Sequence, residues 1–158
     1  MLPHLGAGYT LARWLTRNTH DAEDCVQESF LRAFRAFPGF RGGDARAWVL
    51  KIVRNRCLSL LARRPPEDPA ASEAVEPRTD PEIELLRRAE ASLVREVLSQ
   101  IPAEYRESLV LREFEGLSYK EIAEVAGVPL GTVMSRLSRG RRLLQDLLLK
   151  RLSRGGPP

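Results

Sequence analysis

Three arginines, Arg136, Arg139 and Arg142, recur about one helical turn apart near the C-terminus, among Thr132, Met134, Ser135 and Ser138. A guanidinium is a planar fork of donors that matches the two major-groove acceptors of guanine, and a hydroxyl can donate to or accept from either kind of base edge. An arginine farther along, such as Arg142, neutralises phosphate instead. This set can read duplex DNA if one helix presents it. The preceding residues supply the frame. Ser118 and Glu121 have capping-box spacing, so a helix starts at about Tyr119 with Ile122, Ala123 and Ala126 facing inward. Gly127 allows the left-handed backbone that ends it, and Pro129 fixes the start of the next. Val133, Leu137 and Leu144 then recur on one face, with Ser135, Arg136, Arg139 and Arg142 largely on the other. Charge runs alone are usually solvated faces. A capped helix, a glycine turn and the small Gly131–Thr132 entrance together make this one a helix-turn-helix.

The N-terminal half holds a second set. Asp21 is positioned to cap a helix whose apolar face is Val26, Phe30, Ala33, Phe34 and Phe37, while Asp24, Gln27, Glu28 and Leu31 line another side. Periodicity leaves that polar stripe as either a solvated face or a partner surface, and Leu31 among acids hints at the second. A turn, Phe40-Arg41-Gly42-Gly43-Asp44, precedes a helix from about Ala45 to Arg63 with Trp48, Val49, Ile52 and Leu60 facing inward. Its other side offers Arg46, Lys51, Arg54, Asn55 and Arg63. Aromatic, basic and amide groups together suit a single strand, through stacking and phosphate contact. Helical spacing makes Trp48 a core residue before a stacking platform, and charge alone does not separate DNA from RNA.

These elements fall into two all-α units. Residues 1–64 carry 11 basic and 5 acidic side chains and residues 127–158 carry 7 and 1, whereas residues 65–90 carry 3 and 8. Basic ends around an acidic middle suggest two contacts with a polyanion. Prolines 65, 66, 69, 77 and 81 mark an extended acidic linker. The expected domains are residues 1–64, a linker 65–81, a four-helix unit 82–152 bearing the helix-turn-helix, and a tail 153–158. In that unit Leu86, Leu93, Val97 and Ile101 form one apolar stripe, Pro102 opens a turn, and Tyr105, Leu109 and Phe114 form another, ending at Gly116. Cys25 and Cys57 lack metal or redox spacing and read as buried, reduced thiols. No phosphate loop, carboxylate pair or nucleophile–base set stands out, so no enzyme, metal or cofactor is implied. Apolar runs are too short to span a membrane and there is no signal pattern, which gives a cytoplasmic location.

The stretches DAEDCVQESFLRAFRAF, FRGGDARAWVLKIVRNRCLSLLARR and IPAEYRESLVLREFEGLSYKEIAEVAGVPLGTVMSRLSRGRRLL, in this order around an acidic linker, resemble the extracytoplasmic-function sigma factors of the bacterial sigma-70 family. The likeness runs from about Leu11 to Leu147. It implies a non-enzymatic initiation factor that binds core RNA polymerase and promoter DNA, directs a stress or envelope-response regulon, and is held by an anti-sigma factor. Asp24, Gln27, Glu28 and Leu31 match the surface for the clamp helices of the largest polymerase subunit, and the flap region is a second polymerase contact. Arg41, Arg46, Trp48, Lys51, Arg54 and Asn55 match the part that recognises and opens the minus-10 element. The linker matches the segment that runs through the RNA exit channel. Thr132, Met134, Ser135, Arg136, Ser138, Arg139 and Arg142 match the minus-35 reader. Ser59, Met134 and Ser138 depart from the residues common in the family. The alternative is a free-standing helix-turn-helix regulator on duplex operator DNA, which would explain residues 83–150 but not the N-terminal half.

Overall fold

The computed structural model describes residues 2–40, 42–63 and 92–154. Arg41 and the expected linker 65–81 lie outside them, as do Leu86 and the tail from 155. A short 3-10 turn, Leu2–His4, leads into α1 (Leu5–Thr16), α2 (Thr19–Ala36) and α3 (Ala45–Ala62). The C-terminal half comprises α4 (92–99), α5 (Ala103–Leu109) continued by a π turn (Val110–Phe114), α6 (Tyr119–Ala126) and α7 (Leu130–Arg154). No strand occurs among the described residues.

The starts and stops follow local chemistry. Asp44 caps α3 by accepting from the Arg46 and Ala47 N–H groups, after a turn in which Gly42 and Gly43 take φ of 89° and 96°. The capping box on α6 is formed in full: the Glu121 N–H donates to the Ser118 hydroxyl at 3.1 Å, and the Ser118 N–H donates to the Glu121 carboxylate at 2.9 Å. Gly127, at φ 67°, closes the same helix. The cap of α2 is Asn18, not Asp21: the Asn18 side chain accepts from the Asp21 N–H at 3.0 Å, so the helix starts two residues before the expected cap and Asp21 falls in its first turn, 7% exposed.

Helices α1, α2 and α3 pack around Ala12, Ala22, Val26, Ala33, Val49 and Val53. Gly8 brings α1 close, since a methyl group there would lie 3.2 Å from the Phe30 ring. In the C-terminal half α5 crosses α7 at Gly140, where a methyl would meet Leu109 at 3.1 Å. Three expected core positions are on the surface instead. Phe34 is 71% exposed because it stands about 100° round α2 from Ala33, which closes the buried stripe of Ala22, Val26, Ser29 and Ala33. Phe37, at the C-cap, is 49% exposed, and Phe114 is 52% exposed because the π turn shifts the register and sends Leu111 inward. Ala47, Leu50 and Val53 of α3 and Val125 of α6 are core residues that the sequence reading did not single out.

The halves are not two beads. Leu11, Ala47 and Leu50 belong to the same buried cluster as Leu98, Ile101, Leu111, Leu117 and Ile122 of the C-terminal half. Helix α3 packs against α6, and α1 against α5.

Candidate nucleic-acid interface

Helix α7 is held by one face. Val133, Leu137 and Gly140 are buried at intervals of three and four, which turns Met134, Ser135, Ser138, Arg139 and Arg142 outward. Met134 is 53% exposed. Thr132 and Arg136 are half-buried at the rim, Arg136 lying 4.0 Å from the Glu104 carboxylate, and Arg139 donates to the Tyr105 hydroxyl at 3.3 Å. Together Glu104, Tyr105, Thr132, Ser135, Arg136 and Arg139 border an open cleft of about 370 Å³. All seven expected residues of this set therefore lie on or at the rim of one surface. Gly140 is a positioning residue that sequence reasoning missed; small residues in helices have many causes, and only the crossing with α5 discloses this one.

The set on α3 divides. Lys51 and Asn55 are exposed as expected. Arg46 and Arg54 are not on a free face: one turn either side of buried Leu50, they point at the C-terminal half. Arg54 pairs with Glu107, which is only 6% exposed. Arg46 pairs with Glu121 at 3.0 Å and donates to the Glu115 carbonyl at 3.3 Å. Burial works to raise the pKa of Glu121, but hydrogen bonds with Asp44, the Ser118 backbone and Arg46 outweigh it and hold the carboxyl at about 2. Trp48 is half-buried against the N-terminal core, its ring 4.9 Å from Phe40, which in turn stacks on Phe37 at 6.0 Å. It is chiefly a packing residue, carrying an aromatic row from α3 to the end of α2.

On α2, Asp24, Gln27, Glu28 and Leu31 are all exposed. Glu28 pairs with Arg56 of α3, and Asp24 lies 3.5 Å from His20. Beside the acids opens a largely apolar groove of about 1080 Å³, lined by Gln27, Phe30, Leu31, Phe34 and Phe37. The exposed phenylalanines thus extend the stripe. Cys25 and Cys57 are buried and unpaired by any disulfide, and burial pushes both thiols up.

Comparison with known proteins bears on both halves. Residues 2–65 match the family model for sigma-70 region 2, and residues 91–144 match that for sigma-70 region 4. The chain is 40% identical over 157 residues to the ECF RNA polymerase sigma factor SigE of Mycolicibacterium smegmatis, covering 95% of this chain and 60% of that one. It is 37% identical over 150 residues to the RNA polymerase sigma-H factor of Pseudomonas aeruginosa, covering 85% of this chain and 78% of that protein. Among solved structures it resembles the sigma factor RpoE bound to the anti-sigma factor NepR from Bartonella quintana, with a TM-score of 0.73 and 28% identity over 93% of this chain and 92% of that one. It also resembles CnrH in complex with the cytosolic domain of CnrY, with a TM-score of 0.61, 28% identity, and coverage of 90% and 81%.

Proposed function

The chain belongs to the extracytoplasmic-function sigma factors of the sigma-70 family, and from that membership we propose that it joins core RNA polymerase, reads both promoter elements and starts transcription without catalysing a reaction itself. The observation that carries the reading is the outward face of α7, where Arg139, Arg142, Ser135, Ser138 and Met134 stand free of the core on a helix held by Val133, Leu137 and Gly140. This face enters the major groove of the minus-35 element. Arg136 and Arg139 reach base edges and Arg142 reaches phosphate.

Asp24, Gln27, Glu28 and Leu31, with the groove that Phe34 and Phe37 complete, take the polymerase clamp helices. An amphipathic helix would lay apolar residues in that groove and basic ones on the acids. Lys51 and Asn55 contact the opened minus-10 strand, joined by Arg46 and Arg54 when α3 is uncovered, and by Trp48 and Arg41. The domains are taken as 1–64 and 82–152, with the acidic linker 65–81 in the RNA exit channel. Two structural relatives are complexes with an anti-sigma factor or a partner's cytosolic domain, which supports an anti-sigma partner here. No described helix is long and apolar enough to cross a membrane, in keeping with a cytoplasmic place beside polymerase.

In vitro transcription with bacterial core polymerase on a pool of random promoters tests the whole reading. Run-off products enriched for two spaced elements are expected. Charge reversal at Asp24 and Glu28 together should lower affinity for core while helical content is kept. Binding of duplex DNA with no core-dependent transcription would favour a free-standing regulator.

A further inference from the structure

Between α5 and α7 a hydrogen bond joins a packing residue to a reading one: the Arg139 guanidinium donates to the Tyr105 hydroxyl at 3.3 Å. Tyr105 is half-buried and packed against the core, and a methyl group on Gly140 would lie 3.5 Å from its Cβ. The bare backbone next to Arg139 is what lets α5 come so close. The tyrosine hydroxyl is therefore a fixed post, whereas Arg139 is a long, exposed side chain with many rotamers. Glu104, the preceding residue of α5, borders the same cleft, and its carboxylate opposes any phosphate brought there.

A neighbouring arginine shows what a stronger hold does. Arg141 donates to the Glu113 carboxylate at 3.1 Å as well as to the Tyr119 hydroxyl at 3.4 Å, so much of its charge is answered within the protein. Arg139 is held by a neutral oxygen through one N–H. It keeps its charge, and the other donors of its fork stay open.

We propose that Tyr105 is a positioning residue for promoter specificity, whose hydroxyl orients the Arg139 guanidinium so that the free edge of the fork meets the O6 and N7 acceptors of a guanine in the minus-35 duplex. This rests on the reading of α7 as the minus-35 contact. An arginine can give its donors to phosphate or to a base edge, and only the second discriminates between sequences. The hydroxyl keeps the fork at the cleft while the Glu104 carboxylate turns phosphate away, which leaves the base edge as the favoured target. Orienting the fork beforehand also reduces the side-chain freedom lost on binding. The hold has to be light, because a carboxylate in its place would compete with guanine for the same donors. A neutral hydroxyl at 3.3 Å meets that requirement.

The test reads base preference. Holoenzyme assembled from the full chain and bacterial core polymerase is offered a pool of random duplexes, and the bound fragments are sequenced. The unaltered chain should select an upstream element containing guanine, and Arg139→Ala should lose the preference for guanine at one position. Tyr105→Phe keeps the ring in its packing and removes only the hydroxyl. It should lower that same preference by roughly 2- to 10-fold and leave the other positions as they were. Added to Arg139→Ala it should change nothing further, since the tyrosine acts through the arginine. Thermal melts followed by circular dichroism check that each variant keeps its fold. A loss in Tyr105→Phe spread over all positions, one that persists in the Arg139→Ala background, or no loss at all overturns the positioning role while leaving Arg139 as a reader. If Arg139→Ala itself leaves every base preference unchanged, the reading of Arg139 as a base contact fails and the positioning role falls with it.

Discussion

Helices α3 and α7 carry the same kind of charge and are the two proposed promoter contacts, yet they stand in different states. On α7 the three arginines of the reading set make only loose, surface contacts: Arg136 with Glu104 at 4.0 Å, Arg139 with a tyrosine hydroxyl, and Arg142 with no partner among the described residues, whereas Arg141 and Arg151 on the same helix pair with Glu113 and Glu96. On α3, Arg46 and Arg54 are paired with carboxylates from the other half of the chain. Position in the fold makes the difference. Helix α7 packs by one face, whereas α3 is covered on two sides, by α1 and α2 and by α6, leaving Lys51 and Asn55 among its outward residues. An arginine in a sequence announces an anion; it does not say whether that anion is phosphate or carboxylate.

The largest effect is expected where the two regions are joined. Leu50 is fully buried in the shared cluster, and Leu50→Ala should cost about 2–5 kcal/mol. Because the loss falls on the seam, calorimetry should show one thermal transition separating into two, while Leu137→Ala, inside the C-terminal half, should lower the transition of that half. A single transition retained in Leu50→Ala would mean that the halves do not melt together through this contact.

Next comes the crossing that aims α7. Gly140→Val pushes a branched side chain into Leu109 and Tyr105 and should destabilise by about 1–3 kcal/mol. Duplex affinity should fall with it, because the helix carrying Arg136 and Arg139 must move. Chemical denaturation beside a gel-shift titration checks both; undiminished stability would show that α5 yields without strain.

Much of this arrangement was legible in the sequence, for identifiable reasons. The capping box Ser118–Glu121, the glycine stop at 127 and the seven-residue set on α7 are local, and local chemistry decided them. The missed features depend on distant residues or on exact register. Asn18 and Asp21 are comparably good caps, and choosing between them needs the packing of α1 against α2. Phe34 has a side chain of the core type, but the buried stripe runs through the small Ala22, Ser29 and Ala33 with Val26, and the pattern of large apolar residues pointed to the neighbouring direction. Phe114 is turned out by one π turn. Arg46 and Arg54 were read as exposed because their partners lie 75 and 53 positions away. Cys25 and Cys57, read as buried thiols, are so.

A comparable effect, confined to particular bases, is expected on α7 itself. Arg136→Ala or Arg139→Ala should remove about 1–3 kcal/mol of discrimination at individual minus-35 positions. Arg142→Ala should instead weaken all sequences alike and reduce the salt slope by about one unit. Binding to a library of minus-35 duplexes at several salt concentrations separates them. Equal, sequence-independent losses in all three would leave α7 as a basic anchor and place promoter choice elsewhere.

The smallest effect sharpens the comparison most, because Glu121 serves both regions. Its carboxylate accepts from the Ser118 N–H, completing the cap of the helix that supports α7, and it also holds Arg46 of α3. Ser118→Ala removes only the cap and should cost about 1 kcal/mol, leaving the Arg46 pair in place. Glu121→Gln keeps an oxygen for the Ser118 N–H and removes the charge that pairs with Arg46. The sign with pH follows from the lowered pKa: a carboxyl held at about 2 in the folded chain, against about 4.3 in the unfolded one, contributes stability that is complete above the higher value and fades as pH falls toward the lower. Between about pH 5 and pH 2 the unaltered chain should therefore lose stability more steeply than Glu121→Gln, while Ser118→Ala, which loses the hydroxyl but keeps the backbone N–H that donates to the carboxylate, should fall between them and nearer the unaltered chain. Urea unfolding at stepped pH measures the three slopes. Parallel slopes for the unaltered chain and Glu121→Gln would mean that this carboxylate joins α6 to α3 by position alone and not by its charge.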